Sequence, residues 1–84
     1  MAERSVTAVL ASLGMQYGFT SFELAKVATD LATGRSDEEI VHDVHAGHRD
    51  RLRVERVNDL VAQVKHLVET RPTEVDAWVH DVHE

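Results

Sequence analysis

The chain has no cysteine, so disulfides, thiolate metal sites and thiol chemistry are excluded. That absence fits a reducing compartment. No apolar run approaches the ~20 residues of a membrane-spanning helix. The opening segment, MAERSVTAVLASLG, lacks the uninterrupted apolar region of a signal peptide. The expectation is a cytoplasmic protein with no membrane association. Glycine-rich phosphate loops, nucleophile elbows and carboxylate pairs in a pKa-shifting setting are also missing. An enzyme is therefore not expected, and no cofactor is implied.

Proline occurs once, at Pro72. Length sizes the chain of 84 residues for one helical domain, 1–84, that buries about 60–65% of its unfolded surface. A hydrophobic content of 43% suffices for one compact core but not for a deep cleft between domains. The formal charge is −6, which on average repels nucleic acid, although a local basic patch overrides the average. Six histidines are many for this length. Protonating all of them, around pH ~6.5, would take the charge from −6 to 0, so poor solubility is expected near pH ~5 to 6.

What the chain does have is helical periodicity. Val6, Val9, Leu10 and Leu13 predict a short helix over 3–13, ended by Gly14. Residues 14–19, GMQYGF, read as a connector whose Met15 and Tyr17 either plug the end of a core or offer a binding surface. Thr20 with Glu23 makes a capping box, and Phe19 with Leu24 a hydrophobic staple. They open a second helix, 21–32, whose Phe22, Leu24, Ala25, Val27, Ala28 and Leu31 predict the most buried helix. Gly34 stops it. Ser36 with Glu39 is a second capping box, and Asp37, Glu38 and Glu39 suit the positive end of a helix dipole. This third helix, with Ile40, Val41 and Val44 inward, is expected over 37–46, with Gly47 just past its end.

A long fourth helix is expected over 49–70, ~33 Å long. Val54, Val57, Val61, Val64 and Val68, widened by Leu60 and Leu67, form its apolar stripe. Two heptads fall short of a coiled-coil seam, so the stripe reads as bundle core, with any exposed part suited to a dimer. Pro72 ends this helix and Thr73 caps a last one, 74–83, with Val75, Trp78, Val79 and Val82 inward. Val41–His45 and Val79–His83 are both VHDVH, but their flanks do not align without a gap, which indicates two similar helices rather than a repeat. The predicted fold class is all-α: a compact bundle of four to five helices with the helix at about 49–70 as its spine.

Two constellations carry chemical meaning. His42 with His45, and His80 with His83, are spaced i, i+3 on a helix and could each chelate a divalent metal. Packed side by side, the two VHDVH helices would pool all four. The competing reading is surface histidines bordering the apolar stripe. Arg49, Arg51, Arg53 and Arg56 place four of nine basic residues within eight positions, with His45 and His48 at the turn beside them. Arg49, Arg53 and Arg56 would share one stripe of the fourth helix. A basic stretch after a short helix and a glycine suggests a helix-turn-helix over about 36–57. With Gly47 as the turn glycine, however, the apolar slots hold His42, Asp43, His48, Arg53 and Arg56. Gly34–Ile40, GRSDEEI, is similar over seven residues to helix-turn-helix domains of the LuxR type. The similarity ends before the recognition helix, and no family is assigned on it. The plain alternative for the arginines is local pairing with Asp37, Glu38, Glu39, Asp43 and Asp50.

The functional expectation is a small non-enzymatic protein-interaction module, a regulator or inhibitor that binds another protein or itself as a homodimer. The alternatives are a DNA-binding transcriptional regulator using the 36–57 segment and a histidine-based divalent metal-binding protein.

Overall fold

The computed structural model describes residues 4–84. Five helices follow one another: α1 Val6–Tyr17, α2 Ser21–Ala32, α3 Asp37–His48, α4 Val54–Thr70 and α5 Pro72–Val82. The fold is an all-α bundle with one hydrophobic core cluster. Long-range contacts fix its sense. The Arg71 guanidinium donates to the Arg4 carbonyl at 2.7 Å, tying the start of α1 to the α4–α5 corner. Arg51 donates to the Gly18 carbonyl at 3.3 Å, tying the α3–α4 turn to the end of α1. Phe22 meets His83 edge-on, with ring centroids 6.2 Å apart, joining the start of α2 to the end of α5. Successive helices therefore alternate in direction. One end of the bundle gathers the end of α1, the start of α2, the end of α3, the start of α4 and the end of α5. This is the arginine end. The α2–α3 and α4–α5 junctions form the opposite end.

Both α2 and α4 pack against all four other helices. In contrast, α3 packs against α2 and α4 and against neither α1 nor α5. The expected spine, α4, is the longest helix at 17 residues and contributes Val57, Leu60, Val61, Val64 and Leu67 to the core. Each such side chain contributes about 1.5–3 kcal/mol by leaving water. Its axis is ~25 Å long, short of the 34 Å extent of the molecule, and α2 shares its central position.

Several boundaries differ from the sequence expectation, each for a local reason. The expected helix start at residue 3 lies outside the described residues; within them α1 begins at Val6, capped by the Ser5 hydroxyl, which accepts from the Ala8 N–H at 3.1 Å. Gly14 does not end α1. It lies inside the helix because the Phe19 backbone folds onto it, the Phe19 N–H donating to the Gly14 carbonyl at 2.9 Å. A Cβ on Gly14 would stand 2.9 Å from the Phe19 carbonyl oxygen. Gly18 takes the stop instead, at φ 73°, where a side chain is disfavoured. Tyr17 is buried as expected of a core plug, whereas Met15 is 87% exposed.

The Thr20–Glu23 capping box forms in full. Only half of the Ser36–Glu39 box does: the Glu39 N–H donates to Ser36 Oγ at 3.2 Å, but the Glu39 carboxylate takes the Ser36 hydroxyl rather than its N–H. Phe22 faces solvent at 65% exposure, outside the buried arc of α2. Gly47 does not end α3, which runs on to His48. Leu52 then turns in against the core, and Arg53 is extended at φ −77°, ψ 155°. So α4 begins at Val54 and not at 49. Pro72 is the first residue of α5, a position that needs no N–H, and Arg71 is both the last cap of α4 and the first of α5.

Candidate functional site: the arginine end

The late start of α4 breaks the expected arginine stripe. Arg49, Arg51 and Arg53 lie in the turn between α3 and α4, and only Arg56 is on the helix. Arg53 is the N-cap residue of α4 and makes no side-chain cap hydrogen bond. Arg51 seals the α1–α2 loop through the Gly18 carbonyl. Its guanidinium would lie 2.6 Å from a Cβ on Gly18, a second reason for glycine there. Arg56 lies over the Tyr17 ring, 4.5 Å from its centroid, a cation–π contact. The Tyr17 hydroxyl accepts from the Gln63 amide at 3.0 Å. The Arg49 and Arg53 side chains are exposed and make no hydrogen bond or ion pair among the described residues.

The expected pairing of these arginines with neighbouring acids does not form. None of the four meets a carboxylate, although Asp50 and Glu55 alternate with them in sequence. Of the other five cations, Arg4 donates only to the Ala8 carbonyl at 3.3 Å, and four are ion-paired. Lys26 pairs with Asp30 at 3.2 Å, Lys65 with Asp37 at 2.9 Å and Arg71 with Glu74 at 2.6 Å. Arg35 reaches Asp43 at 2.6 Å, Asp30 at 3.2 Å and Glu39 at 3.6 Å. Its guanidinium holds the Asp43 carboxyl below the ordinary range, chiefly through that hydrogen bond.

His48 anchors this end of α3. Its Nδ1 donates to the Val44 carbonyl at 2.9 Å, and its Nε2 lies 2.7 Å from the Glu23 carboxylate. The ring stacks on Phe19 at 4.4 Å between centroids. Only 12% of the side chain is exposed. Both ring nitrogens are thus engaged within the chain, which leaves neither for a ligand. For Glu23, partial burial opposes ionisation, but the Thr20 N–H, the His48 ring and the Thr20 hydroxyl outweigh it and lower the carboxyl pKa. Sequence reasoning found this residue only as a cap. Its second partner, 25 positions away, leaves no local signature.

The other histidines do not assemble. Because α3 and α5 are not packed together, His42 and His45 cannot pool with His80 and His83. His80 and His83 each turn Nδ1 onto a backbone carbonyl of their own helix, Asp76 and Val79, at 3.0 and 2.9 Å. The Asp76 carbonyl, with the Asp76 carboxylate behind it, raises the His80 pKa. Among the described residues, no three or more His, Asp or Glu side chains are grouped to hold a metal ion. His45 is half-buried beside the turn, and His42 is exposed.

Among the described residues, the three exposed large apolar side chains fall at the arginine end: Met15 in the last turn of α1, Phe22 in the first turn of α2 and Val54 at the start of α4. A groove of about 170 Å³ runs between α2 and α3, floored by Phe19, Val27, Val44 and His48. Its rim groups Lys26, Asp30 and Asp43 are already paired. Among the described residues, no helix is long and apolar enough to cross a membrane. No protein family, curated protein or solved structure matches the chain.

Proposed function

We propose that the chain is a small non-enzymatic interaction module that engages a protein partner through its arginine end and acts on it as a regulator or inhibitor. One observation carries this reading. Among the described residues, four clustered arginines lack any carboxylate partner in a chain of net charge −6, whereas Lys26, Arg35, Lys65 and Arg71 are all paired. Arginine and exposed apolar side chains together are the composition of a protein-binding surface.

The apolar stripe of α4, which suggested a dimer, is buried inside the chain at Val57, Leu60, Val61, Val64 and Leu67. Of that stripe, Val54 alone is left exposed, too little for a dimer seam along α4. A recognition helix for DNA is disfavoured by the same burial, because α4 is packed on all four neighbours. Its exposed face carries Glu55, Asp59 and Glu69, which repel phosphate. The turn before it, 49–53, is also longer than the ~3–4 residues of a helix-turn-helix.

Site-specific photo-crosslinking tests the reading. A photoreactive residue at Asp50 should give covalent protein adducts in cells that disappear in an Arg49→Ala, Arg53→Ala background. The same residue at Thr73, at the opposite end, should give none. Equal adducts from both positions, or none from Asp50, would refute it.

A further inference from the structure

We infer that the surface around Arg49, Arg53 and Val54 docks a carboxylate-rich segment of a partner protein that also carries an apolar side chain. This rests on the interaction-module reading and gives the partner its chemistry. Arg49 and Arg53 are exposed guanidinium groups with no acceptor among the described residues. A guanidinium fork matches a carboxylate with two parallel hydrogen bonds. Arg53 sits extended at the cap of α4, and the next residue, Val54, is 41% exposed. Charge and apolar surface are thus adjacent in the chain. The segment 49–56 holds four arginines against Asp50 and Glu55, while the whole chain is at −6. An acidic partner is repelled by the molecule on average and attracted at this turn, which fixes the face on which it lands.

Nucleic acid fits this surface less well. A phosphate backbone needs cations along its track, whereas these arginines are confined to one turn and the start of one helix. A second copy of the chain also fits less well. Its acidic first turn of α3 has Asp37 held by Lys65 and Glu39 near Arg35.

The test titrates the isotope-labelled protein with three peptides of equal length, followed by NMR. One is rich in Asp and Glu with interspersed Leu, the second has Asn and Gln in place of the acids, and the third has Ser in place of Leu. The first should shift the amides of 49–56 and Gly18 and bind most tightly. Its affinity should fall at least about tenfold in Arg49→Ala, Arg53→Ala. It should stay within about twofold in Lys26→Ala, Lys65→Ala, which removes two positive charges elsewhere. Circular dichroism confirms that each variant is folded. Equal binding of the amide peptide, shifts centred elsewhere or no binding overturns the inference. So does tighter binding of a DNA duplex, or concentration-dependent sedimentation that the arginine variant abolishes. If the peptides fail while crosslinking at Asp50 still depends on the arginines, only the chemistry of the partner falls. If both fail, the interaction-module reading falls with it.

Discussion

At the end of the bundle where α2 passes to α3 and α4 to α5, cations serve as clamps. Arg35 joins Asp30 on α2 to Glu39 and Asp43 on α3, and Arg71 joins Glu74 to the Arg4 carbonyl. At the opposite end the clamps are of another kind. His48 stacks on Phe19 and bonds Glu23, Arg51 closes on the Gly18 carbonyl, and Arg56 covers Tyr17. Both ends tie helix to helix, but the unpaired arginines cluster at the second; at the first, Arg4 alone meets no carboxylate among the described residues and donates to the Ala8 carbonyl at 3.3 Å. Because a ring stack and backbone contacts hold α3 and α4 there, Arg49 and Arg53 are not needed for the fold. Positive charge without an ion-pair partner, next to exposed Val54, is the ground on which a partner surface is proposed there.

Breaking the ring stack should have the largest effect. Phe19→Ala removes a buried ring and unseats His48, and should cost about 3 kcal/mol in urea unfolding. A cost under ~1 kcal/mol would show that the arginine end is not held as described. Gly18→Ala comes next. It forces a side chain into a left-handed backbone, φ 73°, and into the Arg51 guanidinium, and should cost about 1–2 kcal/mol. Arg35→Ala, at the opposite end, should lower the melting temperature less than Gly18→Ala does, since Glu39 and Asp43 among its partners are largely exposed. Glu23 adds a pH signature confined to the arginine end. Its carboxyl pKa is lowered in the folded chain, so its stabilisation is present above the ordinary carboxyl range, about 4.3, and is lost as pH falls through the folded value. Glu23→Gln should flatten the acid limb of a melting-temperature profile. An unchanged limb would show that the His48–Glu23 bond does not form in solution.

The helices and the core were legible in the sequence where a local rule decides them. The Thr20–Glu23 box, the apolar face of α4 and the buried Trp78 follow from spacing and chemistry alone. Of the boundaries read at glycine, the stop of α2 at Gly34 holds, with φ 88° just past Ala32, but two others do not. Gly14 and Gly47 both look like stops, yet each lies inside a helix, and the left-handed cap falls on Gly18. At Gly14 the local cap decides: Gly18 turns left-handed and the Phe19 N–H closes back on the Gly14 carbonyl, so α1 ends past Gly14, whereas Gly47 simply continues α3. The arginine end was half legible. The cluster was visible, but a continuous helix from 49 would have put Leu52 beside Arg56 and Asp59 on the polar face. That misfit was a readable sign of the turn: Leu52 packs on the core, and Arg49 and Arg53 are thrown outward. The contact of His48 with Glu23 had no such sign, because it links positions 25 apart.

The smallest predicted effect on stability discriminates most. Replacing Arg49 and Arg53 together by alanine should leave unfolding free energy within about ±0.5 kcal/mol of the parent, because neither side chain has a partner to lose. Removing two like charges from a turn that also holds Arg51 and Arg56 relieves some repulsion, so any change should be slightly stabilising and should shrink in high salt. Thermal melts at low and high ionic strength measure it. A loss above ~1 kcal/mol would mean that the pair is tied into the fold, and the two ends would then treat their cations alike. A null result on stability, paired with lost crosslinking at Asp50, separates a surface kept for a partner from one kept for the fold.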